Sequence, residues 1–356
     1  MSEIKNFVEI SRYAGERYDL VQAAGGNSSI KLNNGEMLIK ASGFLLSDVN
    51  KNVGYSRVFT KQVADIVING DIIRTNNKRQ RESLTAQLLK KATIDKVNRP
   101  SIETLLHSLL LKYTLHTHSI VVNMIVVREN WKETLNKIFK DIEIALVAYK
   151  TPGIELALEL DKELQRFEDI PKIIFLQNHG LIVTSNEKQD ITKLTEYVLE
   201  KIESFLNVDM SRYKLTNSIT NLFNSIERNS NITYLSEDAF LNEQLKKNKK
   251  LFLTFPFCPD TLVYCGVNAI EIDNFTDLTN INNYKTINNE LPKVILHHKK
   301  VFFIASNIKK AKEIEEVLKF HIMVLIHNKN QNVNFLDREE LAYLSNWEAE
   351  KFRQEL

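Results

Sequence analysis

Three short stretches of the chain offer histidine or carboxylate to what could be one metal ion: Pro100–His107, which contains Glu103 and His107, then His116-Thr117-His118, then Gln177-Asn178-His179-Gly180. In an extended chain residues two apart point to the same face, so the imidazoles of His116 and His118 can reach one ion. His179 follows the strand-like Lys172–Leu176, and Gly180 permits the tight backbone path that would turn a side chain into a cleft. Three histidines with one open position form the pattern of a catalytic zinc, whereas structural zinc sites are usually closed by cysteines. His107 lies four residues after Glu103 and so shares a helix face with it, which suits packing or a supporting hydrogen bond better than ligation.

These groups need a scaffold, and the pattern of apolar residues supplies one. Phe7, Val8, Ile10, Tyr13, Ala14 and Leu20 fall at helical spacing before a turn at Gly25-Gly26. Residues 28–32 and 37–40 read as two strands joined through Asn33-Asn34-Gly35. Residues 82–97 read as a helix. Pro100 and Ser101 open another that is expected to run to about Tyr113, with Ser101 as its cap and its free NH groups as an anion site. Strands are expected over 119–127 and 172–184, then an amphipathic helix over 190–206 with Ile191, Leu194, Val198, Ile202 and Leu206 on one stripe. The expected class is α/β: a catalytic domain over residues 1–206, a helical linker over 207–250 and a smaller α/β domain over 251–356. Residues 173–186 and 294–307 align at a constant offset as strand, turn, strand, Ser-Asn and helix, which puts Lys300 opposite His179. The smaller domain would then repeat part of the first without its metal ligands.

Composition narrows the function classes. A formal net charge of +2 gives no bulk attraction for nucleic acid or membrane, and the clusters Lys246-Lys247-Asn248-Lys249-Lys250 and Lys299-Lys300 are short enough for solvated loops. Two cysteines, Cys258 and Cys265, make no disulfide framework and fit a reducing compartment. No signal-like layout opens the chain and no apolar run has membrane-span length, so a cytoplasmic enzyme is the expectation.

In order and spacing, Ala24-Gly25-Gly26-Asn27-Ser28-Ser29, Ile39-Lys40-Ala41-Ser42-Gly43, Pro100-Ser101-Ile102-Glu103 with His107, His116-Thr117-His118 and Gln177-Asn178-His179-Gly180-Leu181 resemble the class II aldolase/adducin family over roughly residues 5–206. Pro259-Asp260 with Tyr264-Cys265-Gly266 is similar, more weakly, to the extra C-terminal part of longer members. The resemblance implies a central antiparallel sheet flanked by helices, with Zn2+ or another divalent ion held by His116, His118 and His179. It implies Glu103 as the base that moves the proton beside a carbonyl, and Asn27, Ser42 and Gly43 around the same substrate anion as Ser101. The activity implied is a divalent-metal aldehyde-lyase working through an enediolate on a sugar-derived, phosphorylated ketose, often in a homotetramer. Epimerisation or dehydration of a sugar phosphate would use the same metal site. A non-catalytic adducin-like interaction module is disfavoured, because a scaffold has no physical need for three ligand histidines beside Glu103. Two departures bear on substrate: Ile102 stands where family sugar-phosphate aldolases carry a second serine, and Lys40-Ala41-Ser42-Gly43 replaces a threonine-containing loop. Lys40 could supply the missing donor as a point charge. The segment between Val127 and Tyr149 is too short to carry the family's tyrosine proton donor, and Tyr149 reads as structural.

Overall fold

A computed structural model describes residues 2–227 and 231–345. Contacts divide the chain into two units that meet in sequence at Ser211 and Arg212.

The first unit is a seven-stranded sheet between two helical layers. Its strands are β1 (Asn27–Lys31), β2 (Glu36–Lys40), β3 (Tyr55–Phe59), β4 (Tyr113–Thr117), β5 (Ala145–Val147), β6 (Ile173–Leu176) and β7 (Gly180–Ser185). They lie in the order β3-β2-β1-β4-β7-β6-β5, and every pairing is antiparallel except β5 with β6. Successive strand residues face opposite layers. Ile173 and Phe175 pack with the helices Ser2–Gly15, Ile120–Val126, Trp131–Ile138 and Lys188–Leu206, while Ile174 and Leu176 pack with Leu106 and the helix Ile154–Leu164. Both faces of β6 and β7 are buried, so these strands read as continuous apolar runs.

The second unit has strands β8 (Ile232–Leu235), β9 (Ile270–Glu271), β10 (Val294–His297) and β11 (Lys300–Ala305) in the order β8-β11-β10-β9. β8–β11 and β10–β11 are antiparallel, and β9–β10 is parallel. The helix Ile308–His327 packs Ile314, Leu318 and Ile322 on this sheet. Cys258 and Cys265 are free thiols.

Several local expectations give way to tertiary context. The run after His118 is the helix Ile120–Val126, not a strand: Val121, Val122, Ile125 and Val126 are buried at helical spacing while Met124 faces outward. Its β-branched composition favours a strand, but packing against the core outweighs that preference. The strand that carries His116 and leads into His118 lies just before it, at β4, and is buried throughout, so no alternation announces it. The helix expected from Pro100 to Tyr113 shrinks to Thr104–Ser108, because a β-bridge between Ala41 and Pro100 holds its start extended and β4 begins at Tyr113. The helix expected over 82–97 is Lys78–Ala92, stopped by a bridge between Val58 and Thr93. Residues 207–250 are not a linker. They supply the helix Ser211–Ile226 and strand β8, whose pairing with β11 makes it part of the second sheet, and the second unit therefore starts about forty residues earlier than expected. Residues 346–356 of the expected second domain lie outside the described residues.

Candidate metal centre and active site

One end of β4 and the turn between β6 and β7 bring the predicted ligands together. His116 is the fourth residue of β4 and His118 lies just past the strand's end; His179 closes the three-residue turn Gln177–His179. Two glycines make this convergence possible. A Cβ on Gly180 would sit 2.1 Å from the Thr117 carbonyl oxygen, so only glycine lets β7 approach the backbone between the two β4 histidines. The left-handed residue of the turn is Asn178, at φ 53°. A Cβ on Gly25 would lie 2.7 Å from His118 Nδ1, so Gly25 leaves room for that ring. Asn123, on the helix Ile120–Val126, donates to the His179 carbonyl at 3.2 Å and fixes the turn from the other side.

Glu103 completes the cluster. Ligand atoms of Glu103, His116, His118 and His179 all lie within 4.8 Å of one another. His116 Nε2 is 3.1 Å from His118 Nε2 and 3.3 Å from His179 Nε2, and Glu103 Oε1 is 3.1 Å from His179 Nε2 and 3.4 Å from His116 Nε2. Donors about 2.1 Å from a tetrahedral ion stand about 3.4 Å apart, close to these spacings. The donor chemistry fits as well. His116 Nδ1–H donates to the Leu181 carbonyl at 3.0 Å, which leaves Nε2 a lone pair aimed at the cluster. Lone pairs of nitrogen and a carboxylate facing one another in a buried site repel unless a cation lies between them.

Glu103 is held on its other oxygen. Asn27 Nδ2 donates to Glu103 Oε2 at 2.7 Å and to Ser101 Oγ at 2.6 Å, and the Glu103 amide donates to Ser101 Oγ at 3.3 Å. Burial would raise the Glu103 carboxyl, but with His116 and His179 protonated their charge and hydrogen bonds hold it well below the usual carboxylate range, and with the rings neutral a cation among them would supply the same attraction. Burial and the neighbouring imidazoles push His118 down to about 3, which keeps its ring neutral, as ligation requires.

A family model described as the class II aldolase and adducin N-terminal domain matches residues 5–204. The chain belongs to this family. No curated protein sequence matches. Among solved structures, the N-terminal class II aldolase domain of a conserved protein from Thermoplasma acidophilum is 23% identical, covers 57% of this chain and 93% of its own, and has a TM-score of 0.49. YgbL from Klebsiella pneumoniae, a putative aldolase/epimerase/decarboxylase, is 18% identical over 58% of this chain and 89% of its own, with a TM-score of 0.42. L-Fuculose-1-phosphate aldolase from Thermus thermophilus is 15% identical over 58% of this chain and 94% of its own, with a TM-score of 0.37.

Within this class II aldolase unit the remaining expected residues occupy distinct places. Ser42 and Gly43 form an exposed turn, Gly43 at φ 85°, beside the segment of Ser101 through the Ala41–Pro100 bridge. Ser101 is buried and is not a helix cap: Glu103 occupies the cap position of a helix only five residues long, too short to gather an anion-binding dipole. Lys40 is 2% exposed, and its ammonium donates to the carbonyls of Ala24 and Phe44 at 3.0 and 2.8 Å, so it ties the Gly25-Gly26 loop to the Ser42-Gly43 turn. Burial lowers it to about 8. His107 stands outside the ligand cluster, fully buried, with Nδ1 2.7 Å from Ser29 Oγ. Sequence reasoning placed Glu103 beside the ion as a base; the structure brings its Oε1 as close to the ligand nitrogens as they are to one another, which also suits it to ligation. The bracing by Gly25, Lys40 and Asn123 left no signal in local pattern.

Proposed function

We propose that the chain is a metal-dependent aldolase, making or breaking a carbon–carbon bond in a sugar-derived, phosphorylated ketose through an enediolate. The observation that carries this reading is the Glu103 carboxylate set among three convergent imidazoles and anchored on its far oxygen by Asn27. His116, His118 and His179 would hold Zn2+ or another divalent ion, which supplies positive charge against the negative charge that builds on substrate oxygens when a bond beside the carbonyl breaks. Glu103 is ionised, the state a base needs to take the proton next to the carbonyl. Asn27 fixes its orientation; Ser101, Ser42 and Gly43 would receive the substrate's anion at the adjoining turn. A cytoplasmic homotetramer acting on a small molecule belongs to the same reading. No described helix is long and apolar enough to cross a membrane.

NMR detection of solvent-proton exchange into candidate ketose phosphates, together with assay of aldehyde release, tests the proposal. Wild type should exchange and release aldehyde, and Glu103→Gln should lose about 100-fold or more of the exchange rate. Exchange undiminished in the variant removes Glu103 from the role, and substrate turnover that keeps the carbon skeleton intact would move the assignment to an epimerase or dehydratase.

A further inference from the structure

In the first unit one corner of the sheet carries a partly exposed ion pair. Lys172, the residue before β6, reaches Asp190, the third residue of the helix Lys188–Leu206, at 2.7 Å, and Ser185 at the end of β7 donates to the same carboxylate at 2.7 Å. Hydrogen bonds from Lys172 and Ser185 hold that carboxyl below its ordinary range. The second unit builds the same corner from Lys293, the residue before β10, and the helix Ile308–His327; Ala305 stands in the register position of Ser185, and the nearby hydroxyl is that of Ser306, one residue past β11. Its third helical residue is Lys310. Charge is reversed at the one position that neutralised the lysine.

The consequence is a cavity of roughly 390 Å³ with Lys293, Lys310 and Ser306 in its wall and Val263, Leu291 and Ile314 giving it an apolar side. This volume lies in the range of small-molecule sites. Neither lysine reproduces the first unit's pairing: Lys293 donates to the Val263 carbonyl at 2.7 Å and stands 3.8 Å from Glu290, and Lys310 is 3.3 Å from Glu313 on its own helix. Glu290 also lines the cavity, where the Tyr284 hydroxyl donates to it at 3.4 Å and burial pushes its carboxyl up. Glu227, the other acid in the wall, lies 3.5 Å from Lys285.

We infer that this cavity is a binding site for a small organic carboxylate, whose head group lies between Lys293 and Lys310, beside the lysine as the Asp190 carboxylate lies beside Lys172, with Ser306 in the wall as a further donor. The apolar wall selects a hydrocarbon or aromatic body behind the head group. The site is independent of the metal centre and of the aldolase reading.

Isothermal titration of the full chain with benzoate tests this, with benzyl alcohol as the neutral probe of matching shape. Wild type should bind benzoate saturably below about 10 mM and benzyl alcohol not at all in that range. Lys310→Asp, which restores the first unit's charge arrangement, should weaken benzoate at least tenfold without lowering the melting temperature. Lys310→Gln serves if the aspartate variant does not fold, with the same direction expected. His116→Ala should leave benzoate binding unchanged. Absence of saturable binding, equal binding of the alcohol, retention of affinity in the folded Lys310 variant, or loss of binding in His116→Ala each overturns the inference.

Discussion

The half-sheet β4-β7-β6-β5 and the whole second sheet β8-β11-β10-β9 have the same strand order and the same senses: two antiparallel pairings, then a parallel one. In each, a long helix follows the inner hairpin, Lys188–Leu206 in one and Ile308–His327 in the other. Among the described residues, only the first gathers metal-ligating groups. The strand pairings show where the two part. His116 faces Ile182 of β7, and the corresponding Phe302 of β11 faces Leu235, so the metal strand His116-Thr117-His118 corresponds to Leu235-Ser236-Glu237. The first hairpin turns through three residues ending in His179; the second turns through two, His298 and Lys299, both with positive φ, and has no residue in the place of His179. The same backbone path carries either chemistry or packing, and side-chain identity at four or five positions decides which.

The largest effect expected from breaking this difference is at His116. His116→Ala removes a buried lone pair from the cluster and should lower divalent-ion affinity by about 100-fold or more, measured by competition with a chromogenic chelator, while circular dichroism stays that of wild type. Removal of the ion from wild type by chelation should abolish turnover with the same fold retained. A variant that keeps full occupancy would mean that the ion, if any, is held elsewhere.

Much of this contrast can be read from the chain itself. The three histidines, the Asn33-Asn34-Gly35 hairpin and the apolar stripe of the helix Lys188–Leu206 are where local pattern and tertiary structure agree. Local pattern fails where long-range packing decides. The segment Ile120–Val126 is β-branched yet helical because four of its residues enter one core, and the 207–250 region reads as polar helix because its strand is only four residues long. In the hairpin comparison, a constant offset sets Lys300 opposite His179, whereas the strand registers set it opposite Gly180, because the second turn is one residue shorter. The sequence put Glu103 beside the ion as its base; how closely its Oε1 approaches the ligand nitrogens depends on the bridge between Ala41 and Pro100 and on Asn27.

That shifted register yields a sharper test. Gly180 is required because a Cβ there would stand 2.1 Å from the Thr117 carbonyl oxygen, but its counterpart Lys300 already carries a long side chain. Gly180→Ala should therefore cost about 3 kcal/mol in urea unfolding, the upper end for overpacking, because backbone must move and no flexible side chain can absorb the overlap. It should also lower ion affinity, since β7 and the His179 turn move together. Lys300→Ala should stay within about 0.5 kcal/mol of wild type. Equal costs at the two positions would remove close backbone approach as the feature that separates the two hairpins.

The units also differ in what a buried histidine is for, and acid exposes that difference. In the second unit His321 is 5% exposed, stacks on Phe257 and has Nε2 3.0 Å from Thr254 Oγ1; burial lowers it to about 4. It stays neutral in the folded chain while the unfolded chain's histidine takes up a proton near pH 6.5, so the unfolded state binds more protons over the window between these values. Stability from this group is full above about pH 6.5, is lost as the pH falls towards about 4, and the loss reaches about 3 kcal/mol at most. Hydrogen exchange along the helix Ile308–His327 should therefore accelerate between about pH 6.5 and about 4 by more than the intrinsic exchange chemistry accounts for. His321→Gln should flatten that dependence, since glutamine can keep a hydrogen bond to Thr254 but cannot charge. A variant whose helix still loses protection over the same window would assign the acid sensitivity to another group and leave His321 as packing alone.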